Sequence, residues 1–152
     1  MTQVFINDFN RFYDMLIKQI DDCSDELWLS DDGKFPYWWH IMHTVACTEL
    51  YAGTEPWKTP YTMPVVMFAE KVAKAPTRAE MKAIVLAVRP DALAYINSVR
   101  PEDFMKLNQK LTDRLKREVT ELGNLVAIIR HMCYHIGCCD SMLRSKGGEG
   151  VY

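Results

Sequence analysis

The sequence contains no uninterrupted apolar run of the roughly 18 residues that a membrane-spanning helix needs. Its first segment includes acidic side chains and lacks the basic start and the apolar stretch of a secretory signal peptide. Neither sign of charge is in large excess, because 18 Lys and Arg face 20 Asp and Glu for a net charge of −2. Such a balance gives no general attraction for nucleic acid phosphates. These absences predict a cytoplasmic protein that binds neither a membrane nor nucleic acid.

Closely spaced cysteine pairs of the Cys-x-x-Cys type are also missing. The five cysteines are an odd number, so they cannot all pair within one chain. Cys138 and Cys139 are neighbours in sequence, where a disulfide would be strained. We therefore expect the cysteines to be small buried hydrophobic residues in a reducing compartment.

No alternation of apolar and polar residues is long enough for a β-strand, whereas helical periodicity recurs along the chain. The first helix is marked by apolar side chains at steps of three and four residues: Phe5, Phe9, Phe12, Leu16 and Ile20. We expect it to end near Asp21–Asp25, before a loop at residues 30–33.

Two further helices have recognisable boundaries. The second begins near Pro36, which suits a first helical turn, and ends at Gly53. The third follows a capping box formed by Thr77 and Glu80, and Pro90 predicts a kink or a break within it.

The last helix has the clearest pattern and stops at Gly147-Gly148. Residues 54–64 contain three prolines and should form an irregular connector. We expect a short helix at 65–74, while 100–121 fits either a short helix or an extended arm. A chain of 152 residues suits one domain. The prediction is an all-α four-helix bundle over residues 1–152, with a short extra helix in the connectors.

All four histidines lie on two of these helices. His131 and His135 are four residues apart, which places both imidazoles on one helical face, where they can hold one metal ion. The third ligand must come from the second helix. Helical phase places His43 with the apolar side chains of that helix and His40 on a more mixed strip. His43 is therefore the predicted third ligand, and His40 is left as a flanking residue, a hydrogen-bond partner of a metal ligand or an outward-facing side chain.

The same histidine spacing also fits core residues that bond to carbonyl or carboxylate groups and hold no metal. The His-Glu-x-x-His signature of zinc proteases is absent, because Met132 follows His131. A di-iron site is also disfavoured, since no Glu stands three residues before any histidine. Two nearby acidic residues, Glu49 and Asp140, are candidates for facing solvent, so no general base is named.

The segments FPYWWHIMHTVACTELY and RHMCYHIGCCDSMLRSKG resemble the second and last helices of the DinB/YfiT-like superfamily. In that family an aromatic run precedes one ligand histidine, and two histidines four residues apart precede a glycine and a Leu-Arg pair. Carried over by position, the family's three metal ligands fall on His43, His131 and His135. Many relatives have Gln or Glu after that glycine, where this chain has Cys138.

This resemblance implies a four-helix bundle with unusual connectivity, a homodimer, and a zinc or nickel ion at the three-histidine site. It also implies a metal-dependent enzyme acting on a small-molecule substrate, such as a transferase or isomerase that uses a small thiol. Trp38, Trp39, Tyr51 and Tyr134 either line an apolar pocket for that substrate or fill the core. Two alternatives stay open: a non-catalytic, stress-related bundle that binds metal or another ligand, and a structural bundle without a metal.

Overall fold

The computed structural model describes residues 2–68, 72 and 74–152 of the chain. Four long helices form the body of the molecule, and three short helices lie in the connectors. In chain order they are α1 (Thr2–Asp22), α2 (Asp25–Leu29), α3 (Tyr37–Ala52), α4 (Met63–Phe68), α5 (Arg78–Ser98), α6 (Gln109–Leu115) and α7 (Glu121–Ser145). The described residues contain no β-strand, only two isolated bridges. The predicted all-α fold is therefore confirmed.

Most of the predicted helix boundaries match the observed ones, because the residues that end and begin helices act through local hydrogen bonds. The Thr77 hydroxyl accepts from the Glu80 backbone N–H, and the Glu80 carboxylate accepts from the Thr77 backbone N–H. Gly53 ends α3 with a left-handed φ of 67°, a conformation that costs glycine little. The last helix begins at Glu121, where Thr120 caps it by accepting from the Gly123 N–H.

A kink or a break was expected at Pro90. The break is wrong, because α5 continues through the proline as a single helix. Proline lacks the N–H that would bond to the carbonyl four residues earlier, which is that of Leu86. The Lys58 ammonium group donates to the neighbouring Ala87 carbonyl at 2.7 Å. A side chain from the 54–64 connector is thus bonded to the turn of α5 that precedes the proline.

The connectors contain more helix than the one short extra element that was predicted. The segment expected at 65–74 includes α4, and its residues 69–71 and 73 lie outside the described part of the chain. The 100–121 region holds a 3-10 turn at Pro101–Asp103 followed by α6. The five-residue α2 was not predicted, because a helix that short spans barely one period of an apolar pattern.

The four long helices pack in the cyclic order α1, α5, α3, α7. Each contacts two neighbours, so the consecutive long helices α1 and α3 lie across the bundle from one another. The helix α3 is buried on nearly all sides, from Tyr37 to Leu50. It packs directly against α7, and this pairing positions the histidines.

In the described residues, no helix combines the length and the apolar character needed to cross a membrane.

Candidate metal site

The structure brings His43, His131 and His135 together between α3 and α7. One ring nitrogen from each histidine lies within 4.8 Å of the corresponding nitrogens of the other two. The ring centroids are separated by 4.9 Å for His43–His131, 4.8 Å for His43–His135 and 4.7 Å for His131–His135. Nitrogens that bind one tetrahedral zinc ion at about 2.1 Å are about 3.4 Å apart. Side-chain rotations that bring the ring nitrogens roughly 1 Å closer would let the three rings share one ion.

The local sequence explains why the rings meet. On α7 the apolar side chains of Ile128, Met132 and Cys139 are buried, and they fix the face that turns towards α3. His135 on this face is 4% exposed, whereas His131 is half-buried. His43 on α3 is 7% exposed.

The short helix α4 determines the orientation of the His43 ring. The Val66 carbonyl oxygen lies 2.6 Å from His43 Nδ1, so this nitrogen carries the proton and donates it. The other ring nitrogen, Nε2, then carries the lone pair. Trp39 stacks on the imidazole with its ring centroid 4.5 Å away, and its indole N–H donates to the Val65 carbonyl at 2.8 Å. His43 is thus held on two sides with Nε2 available as a ligand.

His131 provides the test of whether these residues fit a metal ion. Its Nε2 atom is buried and has no hydrogen-bond partner. A buried polar atom without a partner is costly, and such atoms are rare in native proteins. Here the atom belongs to a cluster of imidazoles, which are common ligands of zinc, nickel and copper. The donor set and the unpartnered nitrogen both fit a bound cation.

Burial keeps the three imidazoles neutral. Desolvation lowers the pKa of His43. Desolvation also lowers the pKa of His131, and with the contribution of the neighbouring His43 ring this pKa falls to about 4. Desolvation and the adjacent histidines lower the pKa of His135 to about 2. A neutral imidazole is the form that binds metals, so the cluster is in its ligating state at neutral pH.

His40 is buried, at 2% exposure, and it lies beside the cluster. Of the roles left open for it, the outward-facing one is excluded. Its Nδ1 lies 3.0 Å from Nδ1 of His135, and its Nε2 lies 3.1 Å from Oδ2 of Asp32. Asp32 was predicted only as part of a loop, because an Asp-Gly turn gives no sign of a histidine eight residues later. Desolvation opposes ionisation of Asp32, but backbone N–H donors and His40 outweigh it and lower its pKa.

The two acidic side chains that were candidates for facing solvent are both buried. Glu49 is 1% exposed and accepts from the backbone N–H groups of Lys58 and Thr59 at 2.5 and 3.1 Å. Asp140 is 6% exposed and accepts from the Val151 N–H and the Arg144 guanidinium. The Glu49 carboxylate thus holds the connector after α3, and the Asp140 carboxylate holds the segment after α7.

The aromatic residues divide between the core and the surroundings of the histidines. Trp39 touches His43, and Tyr51 contacts His131 edge-on with centroids 6.0 Å apart. Tyr134 lies edge-on to His135 at 4.9 Å and is 67% exposed. Trp38 is buried beside Tyr61 and serves to fill the core.

The cysteines follow the prediction only in part. Cys23, Cys47 and Cys139 are buried, whereas Cys133 and Cys138 are half-buried, and all five are free thiols. The Cys47 sulfur lies 3.5 Å from His43 Nε2, where its S–H group can donate. Burial raises the pKa of Cys47 to about 12, so this thiol is protonated at neutral pH.

Comparison with curated proteins found no match. Comparison with protein families gave a match that spans most of the chain. The model of the DinB superfamily matches residues 8–139, from α1 to the last turns of α7. This range contains all four histidines and each long helix in whole or in large part. It confirms the resemblance noted in the sequence, and the chain belongs to the DinB superfamily.

Proposed function

We propose that the protein binds one divalent metal ion through His43, His131 and His135. The observation that carries this proposal is the buried His131 Nε2 atom, which lacks a protein partner beside two other neutral imidazoles. The resemblance to metal-binding relatives favours zinc or nickel. Imidazole ligands suit both metals and do not distinguish between them.

Three protein ligands leave a coordination position open, as in catalytic rather than structural zinc sites. A bound ion supplies Lewis-acid chemistry by lowering the pKa of a water molecule or thiol that occupies the open position. We therefore propose a metal-dependent enzyme, a transferase or isomerase that activates a small thiol. In this proposal the chain's own residues position the ion, while Trp39 and neighbouring side chains keep bulk water from the buried side of the cluster.

A groove of about 390 Å³ supports a small-molecule substrate. It is lined in part by Tyr51, Ala127 and Arg130. Tyr51 also contacts the His131 ring, so the groove adjoins the histidine cluster. A ligand in it would meet an aromatic ring and a guanidinium group, which suits a polar or anionic small molecule.

Metal analysis tests the binding proposal. Wild-type protein purified without chelator and incubated with zinc or nickel is expected to retain about one ion per chain after desalting. His135→Leu should retain far less, because one ligand is gone. Met132→Leu is the matched control, since it changes a buried residue of the same helix while conserving volume. Wild-type protein that holds far less than one ion per chain would contradict the proposal.

A second experiment separates the enzyme from the alternative function, a non-catalytic metal-binding bundle. Metal-loaded protein is incubated with a panel of low-molecular-weight thiols and electrophiles, and free thiol is measured over time. Consumption that requires both the ion and His135 supports the enzyme. If no thiol is consumed with any member of the panel while the protein holds its full complement of metal, the non-catalytic metal-binding bundle is favoured. The homodimer implied by the resemblance is also proposed here, and sedimentation equilibrium measures it.

A further inference from the structure

Both ring nitrogens of His40 are engaged, and their partners lie on opposite sides of the imidazole. Asp32 is 3.1 Å from Nε2, and His135 Nδ1 is 3.0 Å from Nδ1. The three side chains therefore form a line that begins in the loop before α3 and ends at a proposed metal ligand. His40 itself is no member of the three-histidine cluster.

The chemistry of the two contacts fixes where the protons lie. An ionised carboxylate only accepts hydrogen bonds, so His40 Nε2 must carry a proton and donate it to Asp32. A neutral His40 then has a lone pair on Nδ1. Two imidazole nitrogens 3.0 Å apart need one proton between them, and this proton must belong to His135. His135 is thereby protonated on Nδ1, which leaves the lone pair on its Nε2.

Asp32 is well placed to fix the donor-to-acceptor direction of both hydrogen bonds of His40. Its Oδ1 atom accepts from the backbone N–H groups of Lys34 and Phe35 at 3.0 and 2.8 Å. Its own N–H donates to the Phe35 carbonyl at 3.1 Å. One carboxylate oxygen is thus fixed by the loop, and the other is free for His40. The loop turns at Gly33, whose φ of 95° suits glycine.

We propose that Asp32 and His40 are positioning residues that fix the tautomer of His135 and so direct its Nε2 lone pair into the metal site. The Asp32–His40 pair does for His135 what the Val66 carbonyl does for His43. Metal-bound histidines usually donate their second N–H to such a group, and loss of that group typically lowers metal affinity 10- to 100-fold. The inference rests on the proposed metal site.

Asp32→Asn tests the inference sharply, because the amide can reverse the chain of donors. An NH2 group in place of Oδ2 donates to His40 Nε2, so His40 Nδ1 becomes the donor to His135. The nitrogen of His135 that faces the metal site then carries the proton. Asp31→Asn is the matched control: it removes the same charge from the same turn, and Asp31 contacts the Gly33 N–H rather than His40.

Two measurements follow the change. Long-range proton–nitrogen NMR spectra of metal-free protein report which nitrogen of His135 is protonated. We expect Nδ1–H in the wild type and in Asp31→Asn, and Nε2–H in Asp32→Asn. Competition with a chromophoric chelator reports zinc affinity, which should fall 10- to 100-fold in Asp32→Asn and stay within about twofold in Asp31→Asn.

The outcomes separate this inference from the proposed function. If the wild type binds zinc but Asp32→Asn matches Asp31→Asn in affinity and tautomer, the positioning role is wrong and the metal site stands. If the wild type binds neither zinc nor nickel, the metal site fails, and so does the inference that rests on it. Should Asp32→Asn fail to fold, His40→Leu replaces it, since it removes the acceptor of His135 Nδ1. Wild-type zinc affinity in that variant would overturn the inference.

Discussion

His131 differs from its neighbours in the site because one of its ring nitrogens is both fully buried and without a protein partner. His43 donates to the Val66 carbonyl, and Nδ1 of His135 is hydrogen-bonded to Nδ1 of His40. The Nε2 atom of His131 is buried without either kind of contact. Leaving a buried polar atom unsatisfied costs on the order of 1–3 kcal/mol. The metal-free protein therefore carries a free-energy cost at this position that a bound ion would remove.

His131→Leu should reveal this cost. With chelator present, we expect the variant to have a free energy of unfolding about 1 kcal/mol higher than the wild type, because leucine is of similar size and needs no partner. With zinc or nickel present the order should reverse, since only the wild type gains stability from the ion. Urea denaturation with and without metal measures both effects. A variant that is less stable than the wild type in chelator would contradict this view of His131.

At the level of secondary structure, the six-residue helix α4 holds two aromatic rings of α3 in place. Its Val65 carbonyl accepts from Trp39 and its Val66 carbonyl accepts from His43. Trp39 in turn stacks on His43. An indole in van der Waals contact with a proposed ligand should therefore respond to the metal.

Nickel binding is expected to quench tryptophan fluorescence, mainly through Trp39, because its ring centroid is 4.5 Å from that of His43. The variant Trp39→Phe should lose most of the quenching measured at saturating nickel. Trp38→Phe serves as the control, as its indole packs against Tyr61. Equal quenching in the two variants would place the metal elsewhere.

The connector after α3 depends on Glu49, whose carboxylate accepts two backbone hydrogen bonds from residues 58 and 59. Hydrogen bonds to a charged group contribute about 1.5–3 kcal/mol each. This role is structural.

Glu49→Gln should lower the free energy of unfolding by about 1–3 kcal/mol, because the amide keeps one acceptor oxygen and puts an NH2 group opposite a backbone N–H. Metal affinity should change less than threefold. Chemical denaturation and a chelator competition measure the two quantities. The control is Glu55→Gln, which neutralises an exposed carboxylate of the same connector. A large loss of metal affinity without a loss of stability would contradict the structural role and indicate that Glu49 contributes to the metal site.

The sequence predicted helices well where one face is apolar and poorly where the whole circumference is buried. On α1 the apolar residues Phe9, Leu16 and Ile20 form the buried stripe that their spacing indicated. On α3 every residue from Tyr37 to Leu50 is buried, so helical phase does not separate His43 from His40 by exposure. Only the contacts with α4 and α7 do so. Asp32 was beyond prediction because its role depends on how a loop folds back onto α3.

For the whole molecule, the neutral histidine cluster makes stability depend on pH. The pKa values of His131 and His135 are lowered in the fold to about 4 and about 2, against about 6.5 in the unfolded chain. Above about pH 7.5 the histidines are neutral in both states and contribute no pH dependence. Below it, the unfolded chain takes up protons that the folded protein excludes until pH 4 or lower, so stability falls with pH.

Between pH 6 and pH 5 the metal-free protein should lose roughly 2 kcal/mol of its free energy of unfolding, since each of two histidines contributes up to about 1.4 kcal/mol per pH unit. Urea denaturation in chelator at the two values measures the loss. The double variant His131→Leu/His135→Leu should show a much flatter dependence. An equally steep dependence in that variant would assign the effect to other groups. In loaded protein, acid should also release the ion.

The cyclic order of the long helices determines which part of the bundle a bound ion would stabilise. Of the four interfaces between neighbouring long helices, the one between α3 and α7 contains the histidine cluster. The chain between His43 and His131 includes α4, α5 and α6. An ion there would act as a removable crosslink that closes a very large loop, and such closures cost the unfolded chain much of its entropy. The ion would slow local unfolding at the α3–α7 interface and leave local unfolding at the α1–α5 interface unchanged. A chelator would then destabilise the α3–α7 interface rather than the whole bundle.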